Sequence, residues 1–353
     1  MGKNIKLDII TNDGSPLGVT INSLWGKDGR LGCGGAELAL LTMCEGWHKR
    51  GYDVTLYNNP DEGGVGPFKQ KTLSEFDPQE HRDFLIVFRS PNERIFDAEG
   101  ARAEGQIIWW STDQQTIGDF KAFSKKVDKI VVISPFHEQY FKDMYGIDNA
   151  TVIDLPVRVQ DYDFDVKKQS HKCIYTSIPD RGVMQLHAAW PLIVKEVPDA
   201  QLIITSDWRL WDRHIDKSCV HPYQLHYSRH PNVSYLGAVK RKELIKHQLE
   251  ADLLLYPSQY NELFCITVAE AQVAGAIPVT SSIGAIETTN EFGLQIKGSA
   301  YDAKFIDEFV INSVNLLLDK DLSEKQREMQ KKAIERFSLD RILDEWESRV
   351  FEL

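Results

Sequence analysis

The sequence predicts an α/β protein of two doubly wound parallel-sheet domains, and three observations carry that reading. Short apolar or β-branched runs alternate with amphipathic helical stretches along the chain, the pattern of βαβ units. The alternation lapses over the polar stretch Val157–Ser170 and then restarts. The 353 residues suit two domains, at roughly 150 residues per domain. In open parallel sheets ligands bind beyond the carboxyl ends of the strands, so a cleft between two such halves is the expected site.

Each element follows from its own pattern. In the first half, Ile5–Thr11 reads as a strand, Gly35–Arg50 as a helix and Tyr52–Tyr57 as a strand. Phe84–Phe88, Gln106–Trp110 and Lys129–Ile133 are further strands, followed by the helix Pro135–Met144 and the short strand Thr151–Pro156. In the second half, Lys172–Ser177 is a strand and Gly182–Lys195 a helix broken at Trp190-Pro191. Gln201–Thr205, Val233–Leu236, Leu253–Tyr256 and Ile277–Thr280 are strands, separated by the helices Arg241–Glu250 and Ile266–Gly275. The helical stretches Asp302–Leu318 and Ser323–Val350 close the chain, the second bent near Phe337-Ser338. The expected domains are 1–165 and 170–335, with 336–353 a C-terminal helix.

Composition excludes several classes. Lys and Arg number 41 against 52 Asp and Glu, a formal charge of −11, which argues against nucleic acid or anionic lipid as a bulk partner. No run approaches 18 consecutive apolar residues, so no transmembrane segment is expected. The N-terminus has no apolar stretch long enough for a secretory signal. Five scattered cysteines, none in a CxxC pair, read as reduced thiols in a cytoplasmic protein.

The most informative stretch is Tyr256–Thr280, YPSQYNELFCITVAEAQVAGAIPVT. A buried strand ends at Tyr256, Pro257-Ser258 turn the chain, and a helix begins near Cys265 or Ile266. The amides from about Phe264 to Thr267 and the positive end of the helix dipole make an anion site. Glu262 lies in the turn and Glu270 eight residues further, on the helix. Two carboxylates flanking a phosphate site suit a ligand with hydroxyls at both ends, such as a nucleoside diphosphate sugar. Two other stretches carry phosphate-binding character. CGGAE, Cys33–Glu37, puts paired glycines at a helix start, where backbone amides approach a ligand closely. In YTSIPDRG, Tyr175–Gly182, Arg181 opens a helix with a guanidinium suited to bidentate phosphate binding.

Together these stretches resemble family 4 glycosyltransferases, retaining enzymes of the GT-B fold that use nucleotide sugars. The resemblance rests on the Tyr256–Thr280 stretch, on GGAELALLTMCEGWHKRGYDVTLY and on SxPDRG, and it spans nearly the whole chain. It implies two Rossmann-like domains facing a central cleft, the N-terminal one meeting the acceptor and the C-terminal one the donor, with the last helix packing back on the N-domain. Glu262 then contacts the donor sugar and Glu270 the ribose. Arg181 serves the diphosphate where the family has a lysine, and Ser177 lies near the place of the family's missing arginine. Gly34, Gly35, Gly237, Ala238, Val239, Leu263, Phe264, Cys265, Ile266 and Thr267 line the donor, with Gly237–Val239 neighbouring the base. Cys265 replaces the family's glycine after the phenylalanine. In WWSTDQQ, Asp113 matches the aspartate of the family's HD pair and Thr112 replaces its histidine.

The function implied is retaining transfer of a sugar from a nucleotide-diphosphate donor to a hydroxyl acceptor (glycan, lipid-linked or small molecule), without metal or other cofactor. Glu262, Arg181 and Asp113 are its candidate catalytic residues. Competing readings are a nucleotide-sugar epimerase, a non-catalytic sugar-nucleotide binder and transfer to a modified DNA base. Asp161, Asp163 and Asp165 read as a solvated linker rather than a metal loop. The group His214, Cys219, His221, His226 and His230 reads as a surface or substrate-facing loop rather than a zinc site. Arg158 is a further source of positive charge. Trp109 and Trp110 end a buried strand, whereas Trp208 and Trp211 follow a strand end and suit sugar stacking.

Overall fold

The computed structural model describes residues 5–11, 18–26, 29, 31–60, 66–97, 100–208, 222–230 and 232–353. It divides into two compact units, one of Met1–Asp28, Ala36–Pro156 and Leu339–Leu353, the other of Gly29–Gly35 and Val157–Ser338.

The N-terminal unit is a seven-stranded parallel sheet in the order β3-β2-β1-β4-β5-β6-β7. Its strands are β1 (Lys6–Thr11), β2 (Asp53–Tyr57), β3 (Lys69–Lys71), β4 (Phe84–Phe88), β5 (Gln106–Trp110), β6 (Lys129–Val132) and β7 (Ala150–Val152). The FLIVF run of β4 is buried at every residue, as a central parallel strand covered on both faces requires. The helices are α1 (Ile21–Trp25), α2 (Gly35–Lys49), α3 (Phe120–Phe123) and α4 (Pro135–Tyr145). Ser134 caps α4, its hydroxyl accepting from His137 N–H at 3.0 Å, and Pro135 supplies a first residue with no amide to satisfy. Trp109 and Trp110 are both core residues. The Trp109 ring lies 5.3–5.4 Å from Phe120, Phe123 and Phe141.

The C-terminal unit is a six-stranded parallel sheet in the order β10-β9-β8-β11-β12-β13. Its strands are β8 (Lys172–Thr176), β9 (Gln201–Thr205), β10 (Val233–Tyr235), β11 (Leu253–Tyr256), β12 (Ile277–Ser281) and β13 (Leu294–Ile296). Its helices are α5 (Val183–Glu196), α6 (Pro222–Tyr227), α7 (Arg241–Glu250), α8 (Ile266–Val273), α9 (Ile286–Thr289), α10 (Ala303–Leu317) and α11 (Leu322–Phe337).

Helix α5 corrects one expectation: it runs through Pro191 unbroken. Val183, Leu186, Ala189, Trp190 and Ile193 bury one face in the core, while Pro191 sits on the exposed face, where water can serve the carbonyl its ring leaves unpaired. The expected strand at Thr151–Pro156 shortens to β7. The long terminal helix divides at Ser338, whose ψ of 141° is extended. Beyond it α12 (Leu339–Trp346) and a π turn, Glu347–Phe351, group with the N-terminal unit. There Trp346 meets Trp47 and Trp110 at 5.3 and 5.2 Å, and Phe351 stacks on Phe84 at 4.5 Å. Among the described residues, no helix is long and apolar enough to cross a membrane.

Candidate functional site

The turn after β11 is held by polar groups of its own and by hydroxyls from β12 and α9. The Ser281 hydroxyl donates to Ser258 O, and Ser258 Oγ accepts from Tyr260 N–H at 3.1 Å. Glu262 N–H donates to Tyr260 O at 2.9 Å, and the Thr289 hydroxyl donates to Phe264 O. Helix α8 then starts from Cys265, which holds a left-handed φ of +72°. That is the backbone its glycine counterpart adopts freely, and a side chain there costs about 1–2 kcal/mol. Burial pushes the Cys265 thiol well up, so it stays unionised. As at any helix start, the amides of Ile266 and Thr267 have no acceptor within α8. Leu263 and Phe264 bury their side chains.

Arg181 reaches this turn from β8. Gly182 holds φ +111°, and a Cβ there would lie 2.6 Å from Pro257 O. Only glycine lets the SIPDRG turn close on the Pro257-Ser258 turn. Arg181 Nε donates to Glu262 Oε1 at 3.1 Å and Nη1 to Asp180 Oδ2 at 2.8 Å, while Cζ stands 3.3 Å from the Tyr260 ring centroid. The Tyr256 hydroxyl also donates to Glu262 Oε1, at 3.1 Å. Burial pushes the Glu262 carboxyl upward against the pull of Arg181. Burial works against the Arg181 charge, and Glu262 and Asp180 outweigh it, so the guanidinium stays protonated.

Glu270, on α8, is almost wholly buried. Oε1 lies 2.5 Å from Arg241 Nη2, and Oε2 accepts from Gln248 Nε2 at 3.2 Å. The loop 29–35 joins the same unit: Gly32 N–H donates to Val239 O at 3.2 Å, and a Cβ on Gly35 would fall 2.5 Å from Ile266 Cγ2. Gly34 belongs to this loop, and Ala238 N–H approaches Asp207 Oδ2 at 3.4 Å. The C-terminal unit thus draws the paired glycines, the 237–239 loop and the start of α8 together, and separately pairs Arg181 with Glu262.

Asp113 lies in the N-terminal unit, just beyond β5. Its Oδ2 is 2.8 Å from Nε of Arg89, whose Nη1 lies 2.7 Å from Glu37 Oε1. Sequence reasoning missed Arg89, although a lone cation at the carboxyl end of the apolar run FLIVF was a usable signal. Arg241, Gln248 and Tyr256 were missed as well: two sit within an ordinary helix and the third looks like a core aromatic. Arg158, expected as spare positive charge, is engaged with Asp161 at 3.0 Å. His230 Nε2 lies 3.1 Å from Nε2 of His187, on α5. His214, Cys219, His221 and Trp211 lie outside the described residues.

The family model described as "Glycosyl transferases group 1" matches residues 176–336, the stretch that holds Arg181, Glu262 and Glu270. Over that stretch the chain is similar to the group 1 glycosyl transferases. A GDP-mannose-dependent monoacylated alpha-(1-6)-phosphatidylinositol monomannoside mannosyltransferase of Corynebacterium glutamicum is 26% identical over 228 residues, 57% of this chain and 57% of that protein. The chain therefore spans little more than half the length of this curated relative. Among solved structures, sucrose-phosphate synthase from Thermosynechococcus elongatus aligns with a TM-score of 0.69 at 15% identity, covering 96% of each chain. Anabaena HepE in complex with UDP and glucose aligns at 0.69 and 14% identity, covering 99% of this chain and 100% of that one. These structural likenesses, over nearly the whole chain, show the GT-B fold.

Proposed function

We propose that the chain transfers a sugar from a nucleotide-diphosphate donor to a hydroxyl acceptor, with retention of anomeric configuration. The observation that carries this reading is the Arg181–Glu262 ion pair on the turn that opens α8. A diphosphate resting on the amides of Ile266 and Thr267 meets both unpaired donors and the positive helix end. Arg181 turns from its carboxylate partners to the leaving phosphate, where negative charge grows. Tyr256 and Arg181 both donate to Oε1 of Glu262, which leaves Oε2 for a sugar hydroxyl. Glu270, held by Arg241 and Gln248, takes the ribose hydroxyls. In retaining transfer the departing phosphate accepts the acceptor proton on the same face, so the chain supplies no strong base, and Asp113 with Thr112 orients the acceptor. Charge neutralisation falls to Arg181 rather than to a metal ion. UDP and glucose bound to HepE, and the GDP-mannose dependence of the similar mannosyltransferase, support a nucleotide-sugar donor. The free thiols of Cys33, Cys44, Cys173 and Cys265 support a cytoplasmic setting.

The test is a thermal-shift screen of UDP, GDP, ADP and dTDP sugars followed by a transfer assay with the stabilising donor. Saturation at a hundredfold over Kd adds about 2.7 kcal/mol. Arg181→Ala is expected to lose about 10²- to 10³-fold in turnover while keeping its circular-dichroism spectrum, and Glu270→Ala to lose most of it. Wild-type rates in both variants would mean that the donor binds elsewhere. Epimerised donor in an acceptor-free incubation would point to isomerisation instead.

A further inference from the structure

A second charged cluster lies in the N-terminal unit at the carboxyl ends of β4 and β5, the edge at which parallel sheets bind ligands. Arg89 follows β4 directly and holds φ at +70°, a left-handed backbone that a bulky residue rarely adopts. Both sides of its peptide are tied down: its N–H donates to Trp110 O at 2.8 Å, and its carbonyl accepts from Trp109 Nε1 at 3.0 Å. So held, one guanidinium pairs with two carboxylates, Glu37 at 2.7 Å and Asp113 at 2.8 Å. The Glu37 side chain is 9% exposed and that of Asp113 33%, so Asp113 is the one that solvent or a ligand can reach. Thr112, which precedes Asp113 in the chain, is 8% exposed, and its hydroxyl is buried with no hydrogen-bond partner among the described residues. Such a group is costly unless something completes it.

We propose that Arg89 is a positioning residue for acceptor recognition: it clamps Asp113 beside the Thr112 hydroxyl to receive a hydroxyl of a neutral, polyhydroxylated acceptor. The inference rests on the glycosyl-transfer reading above and names the acceptor class. A sugar hydroxyl both donates and accepts, and a carboxylate with a neighbouring hydroxyl answers both needs. Within this trio two carboxylates face one guanidinium, an excess of negative charge that disfavours a phosphorylated acceptor over a neutral one. The Arg89 fork also sets where the carboxylate stands, a task the point charge of lysine performs poorly.

Arg89→Gly separates positioning from support, because glycine takes φ +70° without strain. The full chain is assayed with the donor it hydrolyses or transfers from the UDP, GDP, ADP and dTDP sugar panel. The acceptors are neutral p-nitrophenyl hexosides and the same hexosides phosphorylated at O6. Expected are transfer to a neutral hexoside and, in Arg89→Gly, an acceptor KM at least tenfold higher. In that variant kcat changes less than threefold and the nucleotide Kd stays within twofold of wild type. Arg89→Lys falls between the two in acceptor KM. The proposal is overturned by an unchanged acceptor KM in Arg89→Gly or by equal losses in acceptor KM and nucleotide Kd. Transfer confined to phosphorylated hexosides overturns it too, as does donor hydrolysis without transfer to any neutral hexoside. A wild-type chain that neither binds nor hydrolyses any sugar nucleotide instead ends the glycosyl-transfer reading, and the acceptor proposal with it.

Discussion

Arg241 and Glu270 form a buried ion pair, Nη2 2.5 Å from Oε1, that joins α7 to α8. Gln248 Nε2 donates to the other carboxylate oxygen at 3.2 Å. The Tyr162 hydroxyl donates to Gln248 Oε1 at 2.8 Å and accepts from Arg241 Nη2 at 3.3 Å. Glu270 is therefore fixed from two sides by the chain's own groups. Removing one member of a buried pair strands the other, which costs about 3–5 kcal/mol, whereas replacing both by apolar groups is often neutral. Arg241→Met is expected to lose about that much in urea denaturation, and Arg241→Met with Glu270→Leu to regain most of it. A single-variant loss below about 1 kcal/mol, the worth of an exposed pair, would place the pair in solvent.

Gly182 and Gly298 share a φ of +111°, but a Cβ on Gly182 would meet Pro257 O at 2.6 Å and one on Gly298 would meet nothing within 4 Å. At the same φ, the two alanine variants differ in whether the added Cβ meets backbone. Gly298→Ala is expected to cost about 1–2 kcal/mol from the left-handed backbone. Gly182→Ala is expected to cost clearly more and to weaken nucleotide binding at least tenfold, because the Arg181 turn must back away from Pro257. Equal losses of stability, or an unchanged nucleotide Kd in Gly182→Ala, would show that the two turns need not touch.

The central strands were legible because LLLY and FLIVF are apolar throughout, which only a doubly covered parallel strand needs. The edge strands Lys69–Lys71 and Leu294–Ile296 were not, since three residues carry no readable period and neighbours recruit them by backbone pairing. Pro191 misled because a proline's cost depends on which face it occupies, and that is a tertiary fact. At the candidate site, Glu262, Glu270 and Arg181 stood out as charges at strand ends and helix starts. Their partners did not: Arg241 and Gln248 look like any helix surface until the fold buries them. Arg89 showed its charge but not the left-handed turn that brings Glu37 and Asp113 to it.

Helix α12 is expected to be integral to the N-terminal unit's stability. Trp346 is 1% exposed and packs edge-on against Trp47 and Trp110. Arg50 adds ion pairs to Asp344 and Glu347 at 2.8 and 2.7 Å. Aromatic-to-alanine changes in such cores cost about 3–5 kcal/mol. Trp346→Ala is expected to lose that much by urea denaturation while the nucleotide Kd stays near wild type, since the residues proposed to hold the donor belong to the other unit. A loss under about 1 kcal/mol would mean that the helix docks only loosely.

His137 carries a pH dependence whose sign is fixed. It is fully buried, accepting from Ile133 N–H at 3.4 Å. Burial pushes its pKa from the ordinary 6.5 down to about 3, against the pull of a backbone hydrogen bond to Asp113. The folded chain therefore keeps the imidazole neutral while the unfolded chain takes up a proton below 6.5. The stability this contributes is complete above pH 6.5 and is lost as the pH falls toward 3, at no more than about 1.4 kcal/mol per unit. Glu262 acts in the opposite sense: its carboxyl is raised, so its contribution is full below 4.5 and is lost as the pH rises through its folded value. Unfolding free energies of the wild type and His137→Leu between pH 7 and 4 separate the two effects. The variant is expected to start lower, from its lost contacts, and to fall less steeply below pH 6.5. Parallel slopes would mean that His137 charges within the folded chain.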